Sequence, residues 1–147
     1  MSAKLRIATT EDSERLLKLV LACHAETDLP QDEAAIAEAL RPLLEGGPNG
    51  VVYLIGPPSS PVGYLAISFG YSISIGGLEG HIDEIYIRPP VRNRGMASEA
   101  LHSLAASLSS HGVRALHFTQ RGDDSPRVFG RQHFRPSKRG AVLTRML

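Results

Sequence analysis

The sequence carries a single cysteine, Cys23, so no intrachain disulfide can form and the fold must rest on packing alone. Its apolar stretches are broken by charge or glycine well before the ~20 residues that a membrane helix needs, and the N-terminus lacks the apolar stretch of a secretory signal. A cytoplasmic location without membrane binding is therefore expected. Neither sign of charge dominates: 16 Lys and Arg stand against 15 Asp and Glu, a net charge of +1, which excludes the broad basic footprint of a nucleic-acid-binding protein. The exception is local, since Arg127, Arg131, Arg135, Lys138, Arg139 and Arg145 gather near the end of the chain. Six histidines occur without a spacing that would set a metal pair on one helix or build a zinc site, so no metal is expected. Internal repeats, low-complexity tracts and linkers are absent too, which leaves one domain over residues 1–147.

What is present suits a soluble globular protein. Hydrophobic residues make up 42% and charged residues 21% of 147 positions, enough chain to bury roughly two thirds of its unfolded surface. Residues 4–8 alternate polar and apolar as a short strand does. Thr9 or Thr10 then caps a helix over about residues 11–24, with Leu16, Leu17, Val20 and Leu21 on one face and Cys23 as a buried apolar residue. A second helix over about 32–44 shows Ile36, Leu40, Leu43 and Leu44 at helical spacing, with Pro42 marking a kink or an early end. The runs 51–55 and 62–69 read as antiparallel strands around a Gly-Pro-Pro-Ser-Ser-Pro turn, 71–80 as an exposed glycine-rich loop, and 81–87 as a strand. A helix over about 97–111 follows, then a strand over 114–119, a short helix over 125–131 and a last strand over 141–146.

The informative stretch is the junction after the strand at 81–87. A strand that turns directly into a helix leaves backbone N–H groups unpaired at the positive end of the helix dipole, where a phosphate can sit. Gly95 can take a backbone conformation closed to other residues, Ala97 is small enough for close approach, and Arg92 and Arg94 add positive charge. There is no Gly-Lys-Ser/Thr of a nucleoside-triphosphate loop and no Gly-x-Gly-x-x-Gly after the first strand, which leaves coenzyme A among the pyrophosphate ligands.

Arg92-Asn93-Arg94-Gly95-Met96-Ala97 resembles the Arg/Gln-x-x-Gly-x-Gly/Ala motif of the GCN5-related N-acetyltransferases. Asp83-Glu84-Ile85-Tyr86-Ile87 with Pro89 looks like the strand leading into it, and the order of elements matches over nearly the whole chain. The resemblance implies an α/β (α+β) fold of the acyl-CoA N-acyltransferase type: a mixed, mostly antiparallel sheet flanked by helices, with two central strands, 81–87 and 114–119, splayed apart. It implies acetyl-CoA as cosubstrate and an amine as acceptor. Ile85, Tyr86 and Ile87 would meet the pantetheine arm, and Arg92, Asn93, Arg94, Gly95, Met96, Ala97 and Ser98 the pyrophosphate. A homodimer is expected by the same analogy.

The chemistry asks for a base, because an alkyl amine with pKa near ~10.4 must lose a proton before it attacks. Asp83 and Glu84 are the candidates. Consecutive strand residues face opposite sides, so only one of the two looks into the cavity, and alternation alone does not choose. Similarity to members that acetylate polyamines and aminoglycosides places the acid at Asp83. The backbone N–H of Ile85 would donate to the thioester oxygen.

Aligning residues 128–134 puts Phe129 where many members carry a general-acid tyrosine, and Asp123 and Asp124 stand near the place of an asparagine often found before that helix. A thiol of pKa near ~8.5 is a tolerable leaving group without an acid. The acidic stretch with Glu26, Asp28, Asp32 and Glu33 would suit a cationic acceptor or simply a helix start. Two further readings stay open: a module that senses acetyl-CoA without turnover, and an acetyltransferase of peptides or proteins.

Overall fold

A computed structural model describes residues 2–121 and 126–147. In chain order the elements are β1 (Leu5–Ile7), α1 (Ser13–Thr27), α2 (Glu33–Leu44), β2 (Gly50–Ile55), β3 (Gly63–Ser72), β4 (Gly77–Ile87), α3 (Met96–Ser110), β5 (Val113–Phe118) and α4 (Pro126–Arg131). The strands form one sheet in the order β1-β2-β3-β4-β5. All neighbours are antiparallel except β4 and β5, which are parallel and joined through α3.

Both faces of the sheet are covered, and the period of two within each strand sorts residues between them. Leu65, Ile67, Ile82 and Ile87 pack under α3 with Met96, Ala100, Leu101 and Leu104. Tyr64, Ala66 and Tyr86 point the other way and pack under α1 and α2 with Leu16, Val20, Cys23 and Ile36. Asp32 caps α2 by accepting from Ala35 N at 3.1 Å, as its place before an apolar-periodic run predicts. The helix continues through Pro42 to Leu44, without the bond that an N–H at position 42 would make to the Glu38 carbonyl.

Two expectations are corrected. Residues 71–80 are not a long loop: β3 and β4 stay in register from Gly63 opposite Ile87 to Ser72 opposite Gly77, leaving only a short turn in which Ile75 N donates to Ser72 Oγ at 3.2 Å. The glycine at position 80 answers to packing, since a Cβ there would lie 2.8 Å from Ile67 Cδ1 and 3.0 Å from Leu116 Cδ2. The last strand over 141–146 does not form, and Val142, Leu143 and Met146 are exposed. Val142 and Leu143 are adjacent, so a strand would turn them to opposite faces, and neither is covered by the described residues. The short helix begins at Pro126 within the described chain; Asp123, Asp124 and Ser125 lie outside it. Among the described residues, no helix is long and apolar enough to cross a membrane, and no group of His, Cys, Asp and Glu is placed to hold a metal.

Candidate active site

The site forms where β4 outruns its parallel partner. Pairing with β5 ends at Ile82 opposite Phe118, so residues 83–87 present an edge that β5 does not cover. Arg88 N donates to Val62 O at 2.8 Å, and alternation turns the backbone of Tyr86 and Glu84 the same way, toward β3. Ile85 and Ile87 therefore turn theirs toward the gap. The Ile87 carbonyl already accepts from Arg92 Nε at 2.8 Å, which leaves the N–H and C=O of Ile85 as the central groups of the open edge. The ring of Tyr86 packs in the layer under α1, 6.1 Å from that of Tyr64.

One residue further along β4 the register breaks. Ala66 of β3 faces Glu84 while Ile67 faces Ile82, so Asp83 is the extra residue of a β-bulge, at the point where β4 and β5 part. The bulge lets these two consecutive carboxylates occupy different surroundings. Glu84 turns in under α1: its Oε1 accepts from Tyr64 Oη at 2.6 Å, and both its oxygens lie 2.9 Å from His24 Nε2. Asp83 stays exposed at the fork. Partial desolvation and the negative charge of Glu84 push its carboxyl above the ordinary value, while Arg121, His81 and His24 act in the opposite direction.

Beyond β4 a 3-10 turn at Pro89–Val91 leads through Arg92–Gly95 into α3. Asn93 (φ 63) and Gly95 (φ 75) are both left-handed, which curls the segment into a concave turn. Gly95 is the N-cap and no side chain caps the helix. Glu99 N reaches Gly95 O at 2.9 Å, and the amides of Met96, Ala97 and Ser98 ahead of it, the first-turn donors that a helix leaves without an intrahelical acceptor, take no side-chain cap among the described residues. A Cβ on Gly95 would meet nothing within 4 Å, so the space beside the N-cap is open. Orphan amides, a positive helix end and free volume are what a pyrophosphate requires.

The side chains of the turn do different work. Met96 is buried in the core, Asn93 and Arg94 are exposed, and Ser98 Oγ accepts from Gln132 Nε2 at 3.2 Å. Arg92 folds back: its guanidinium pairs with Glu26 at 2.7 Å and lies 5.5 Å from the centroid of Tyr86. The bond from Arg92 holds the Glu26 carboxyl below its ordinary value. The end of α1 is thus tied to the turn, and two of the acidic residues of the 26–33 stretch, Glu26 and Asp32, are committed to structure. On the far side Phe129 stacks on Phe118 at 4.1 Å and meets Phe134 edge-on at 5.3 Å, so it serves as packing between α4 and β5.

Asp83 and Ile85 lie on the part of β4 that β5 leaves uncovered, the 92–98 turn follows that strand, and Glu84 turns in against α1. His24 and Tyr64 were not singled out in the sequence. Each fits an apolar-periodic run, and no spacing in the chain links position 24 to position 84.

The sheet thus splits beside a helix start without a side-chain cap, with an exposed carboxylate where the strands part. The model of the acetyltransferase (GNAT) family matches residues 13–134, and the chain belongs to that family. It is an acetyl-CoA-dependent acetyltransferase. An integron cassette protein, HFX_CASS3, from the mobile metagenome of Cole Harbour Salt Marsh is similar to it, with 28% identity and a TM-score of 0.85 over 97% of this chain and 90% of that one. The fold is shared with a ribosomal-protein-alanine N-acetyltransferase from Brucella melitensis biovar Abortus 2308, at 19% identity and TM-score 0.77, covering 99% of this chain and 100% of that one. It is shared also with the aminoglycoside acetyltransferase meta-AAC0020 from an uncultured soil metagenomic sample, solved with sisomicin, at 14% identity and TM-score 0.72, covering 98% of this chain and 95% of that one. No curated protein sequence matches the chain.

Proposed function

We propose that the protein transfers the acetyl group of acetyl-CoA to a primary amine of a small cationic molecule, by direct attack with both substrates bound. The observation that carries this reading is the end of the β4–β5 pairing at Ile82, which leaves Asp83 at the start of an uncovered strand edge that runs on toward the helix start of α3. Acetyl-CoA supplies an activated acyl carbon; the protein supplies position and charge. The amides of Met96, Ala97 and Ser98, within the turn of Arg92, Asn93, Arg94 and Gly95, would hold the pyrophosphate. The edge at Ile85, Tyr86 and Ile87 would align the pantetheine arm, with the Ile85 N–H donating to the thioester oxygen as charge develops there. Asp83 would take the proton from the ammonium, freeing the nitrogen lone pair to form the new C–N bond as the C–S bond breaks. Partial desolvation raises its carboxyl pKa, which strengthens it as a proton acceptor. Acetylation of the small cation sisomicin's class by a protein of the same fold supports the choice of acceptor.

A second reading is favoured by Phe129, which packs where a proton-donating tyrosine is expected: binding of acetyl-CoA without turnover. Release of free thiol, followed over a panel of polyamines, aminoglycosides and a peptide with a free N-terminus, separates the two. The expected result is turnover with the small polycations, lowered by about 10²–10⁴ in kcat on Asp83→Asn. Binding without turnover on any amine would favour the sensor, and turnover confined to the peptide would move the acceptor class.

A further inference from the structure

We propose that His24 is a positioning residue that cancels the charge of Glu84 through one shared proton, so that Asp83 is left as the carboxylate able to receive the proton of the amine. The proposal rests on the acetyl-transfer reading for its consequence, but its charge assignment stands on geometry alone.

The hydrogen count decides the argument. His24 is buried, and its Nδ1 lies 2.6 Å from the carbonyl oxygen of Pro30. A carbonyl can only accept, so Nδ1 carries a hydrogen. The other nitrogen, Nε2, lies 2.9 Å from both oxygens of Glu84. A bare lone pair facing a carboxylate at that distance would leave two acceptors opposed in a buried place, which proteins avoid. One proton must lie between them, either on the ring or on the carboxyl. Either way the His24–Glu84 pair has no net charge. Tyr64 donates the third hydrogen, at 2.6 Å to Glu84 Oε1, and burial pushes its phenol far above its usual value, so it stays a donor. Burial likewise raises the Cys23 thiol, which adds no charge beside the pair.

Glu84 is therefore spent. Asp83, displaced by the bulge, faces a different set: Glu84 and His81 on its own strand, His24 from α1, and Arg121 after β5. The same imidazole that satisfies Glu84 also pins the α1–α2 connection to β4 through Pro30. It thus fixes both the wall of the cleft and the identity of its base.

The test is a side-chain carboxyl NMR titration of Asp83 in the parent, in His24→Gln, in Glu84→Gln and in the double variant, with the pH profile of kcat/KM measured beside it. Glutamine at 24 can still donate to Glu84 but brings no shared proton, so the pair becomes negative. The Asp83 titration, and with it the acidic limb of the profile, is expected to move to higher pH. Glu84→Gln leaves the pair uncharged and is expected to move the titration little, and the double variant to return it close to the parent. If Asp83 is unmoved by His24→Gln but falls clearly on Glu84→Gln, Glu84 was an uncompensated charge and the proposal is overturned. Should His24→Gln not fold, Glu84→Gln decides alone by the same criterion. Titration shifts as expected in a protein that turns over no amine would support the charge assignment and remove the acetylation reading.

Discussion

The Arg6–Asp12 pair shows how much of this fold depends on single side chains whose partners lie a few residues away. Both guanidinium NH groups of Arg6 donate to Asp12 at 3.0 Å, and Thr9 N donates to the same carboxylate at 2.9 Å, on a residue only 5% exposed. The pair locks the exit of β1 to the start of α1. The bond from Arg6 lowers the carboxyl pKa of Asp12 against the opposing effect of burial. A lowered folded-state pKa means that Asp12 stabilises the protein fully above its unfolded value near ~3.9, and that this contribution is lost as pH falls through the folded value. Asp12→Asn is expected to lower stability by about 2 kcal/mol at neutral pH, and to flatten the loss of stability in the window below pH ~4, in urea titrations run across pH. An unchanged slope in that window would show that Asp12 does not carry the ion pair. The same scale shows what sequence reading reaches. Asp83 and Glu84 stand out as adjacent acids in a strand, but their separate surroundings depend on a bulge and on His24, sixty positions away. Pairing across the fold, and not residue type, distinguishes them.

At the scale of elements, the strand–turn–helix around Gly95 was legible because its determinants are local: a β-branched run, a proline pair, a glycine and an apolar period of 3.6. The hairpin of β3 and β4 was not. Its glycines at 76, 77 and 80 read as loop, whereas Gly80 lies inside β4 because Ile67 and Leu116 fill the space its side chain would take. Glycine as a packing choice cannot be told from glycine as a turn without knowing what lies opposite. The consequence can be measured. Gly80→Val, favourable for a strand in isolation, is expected to destabilise by about 1–3 kcal/mol in chemical denaturation, because the added methyls meet a filled core. A variant as stable as the parent would mean that β4 does not pass so close to Ile67. The tail fails as a strand for the converse reason, its apolar residues offering no single face to bury.

At the scale of the whole molecule, the two layers of helix hold the sheet on both faces, and β4 runs on uncovered where its pairing with β5 ends at Phe118. The family order of elements made this architecture legible from one end of the chain to the other. The fork itself was expected only through the resemblance, since nothing in either strand's sequence says where a parallel pairing ends. The account stands on the cofactor entering that fork with its pyrophosphate on α3. The most direct measurement is calorimetric titration of the purified protein with acetyl-CoA beside Gly95→Asp. Aspartate tolerates the left-handed conformation, and its side chain would meet open space, so the variant is expected to fold with a Tm within about 5 °C of the parent while setting a negative charge before the amides of Met96, Ala97 and Ser98. Binding by the parent with a Kd on the order of micromolar, lost in the variant, is the result the account requires. A parent that binds no acetyl-CoA, or a folded variant that binds it as well as the parent, would contradict it.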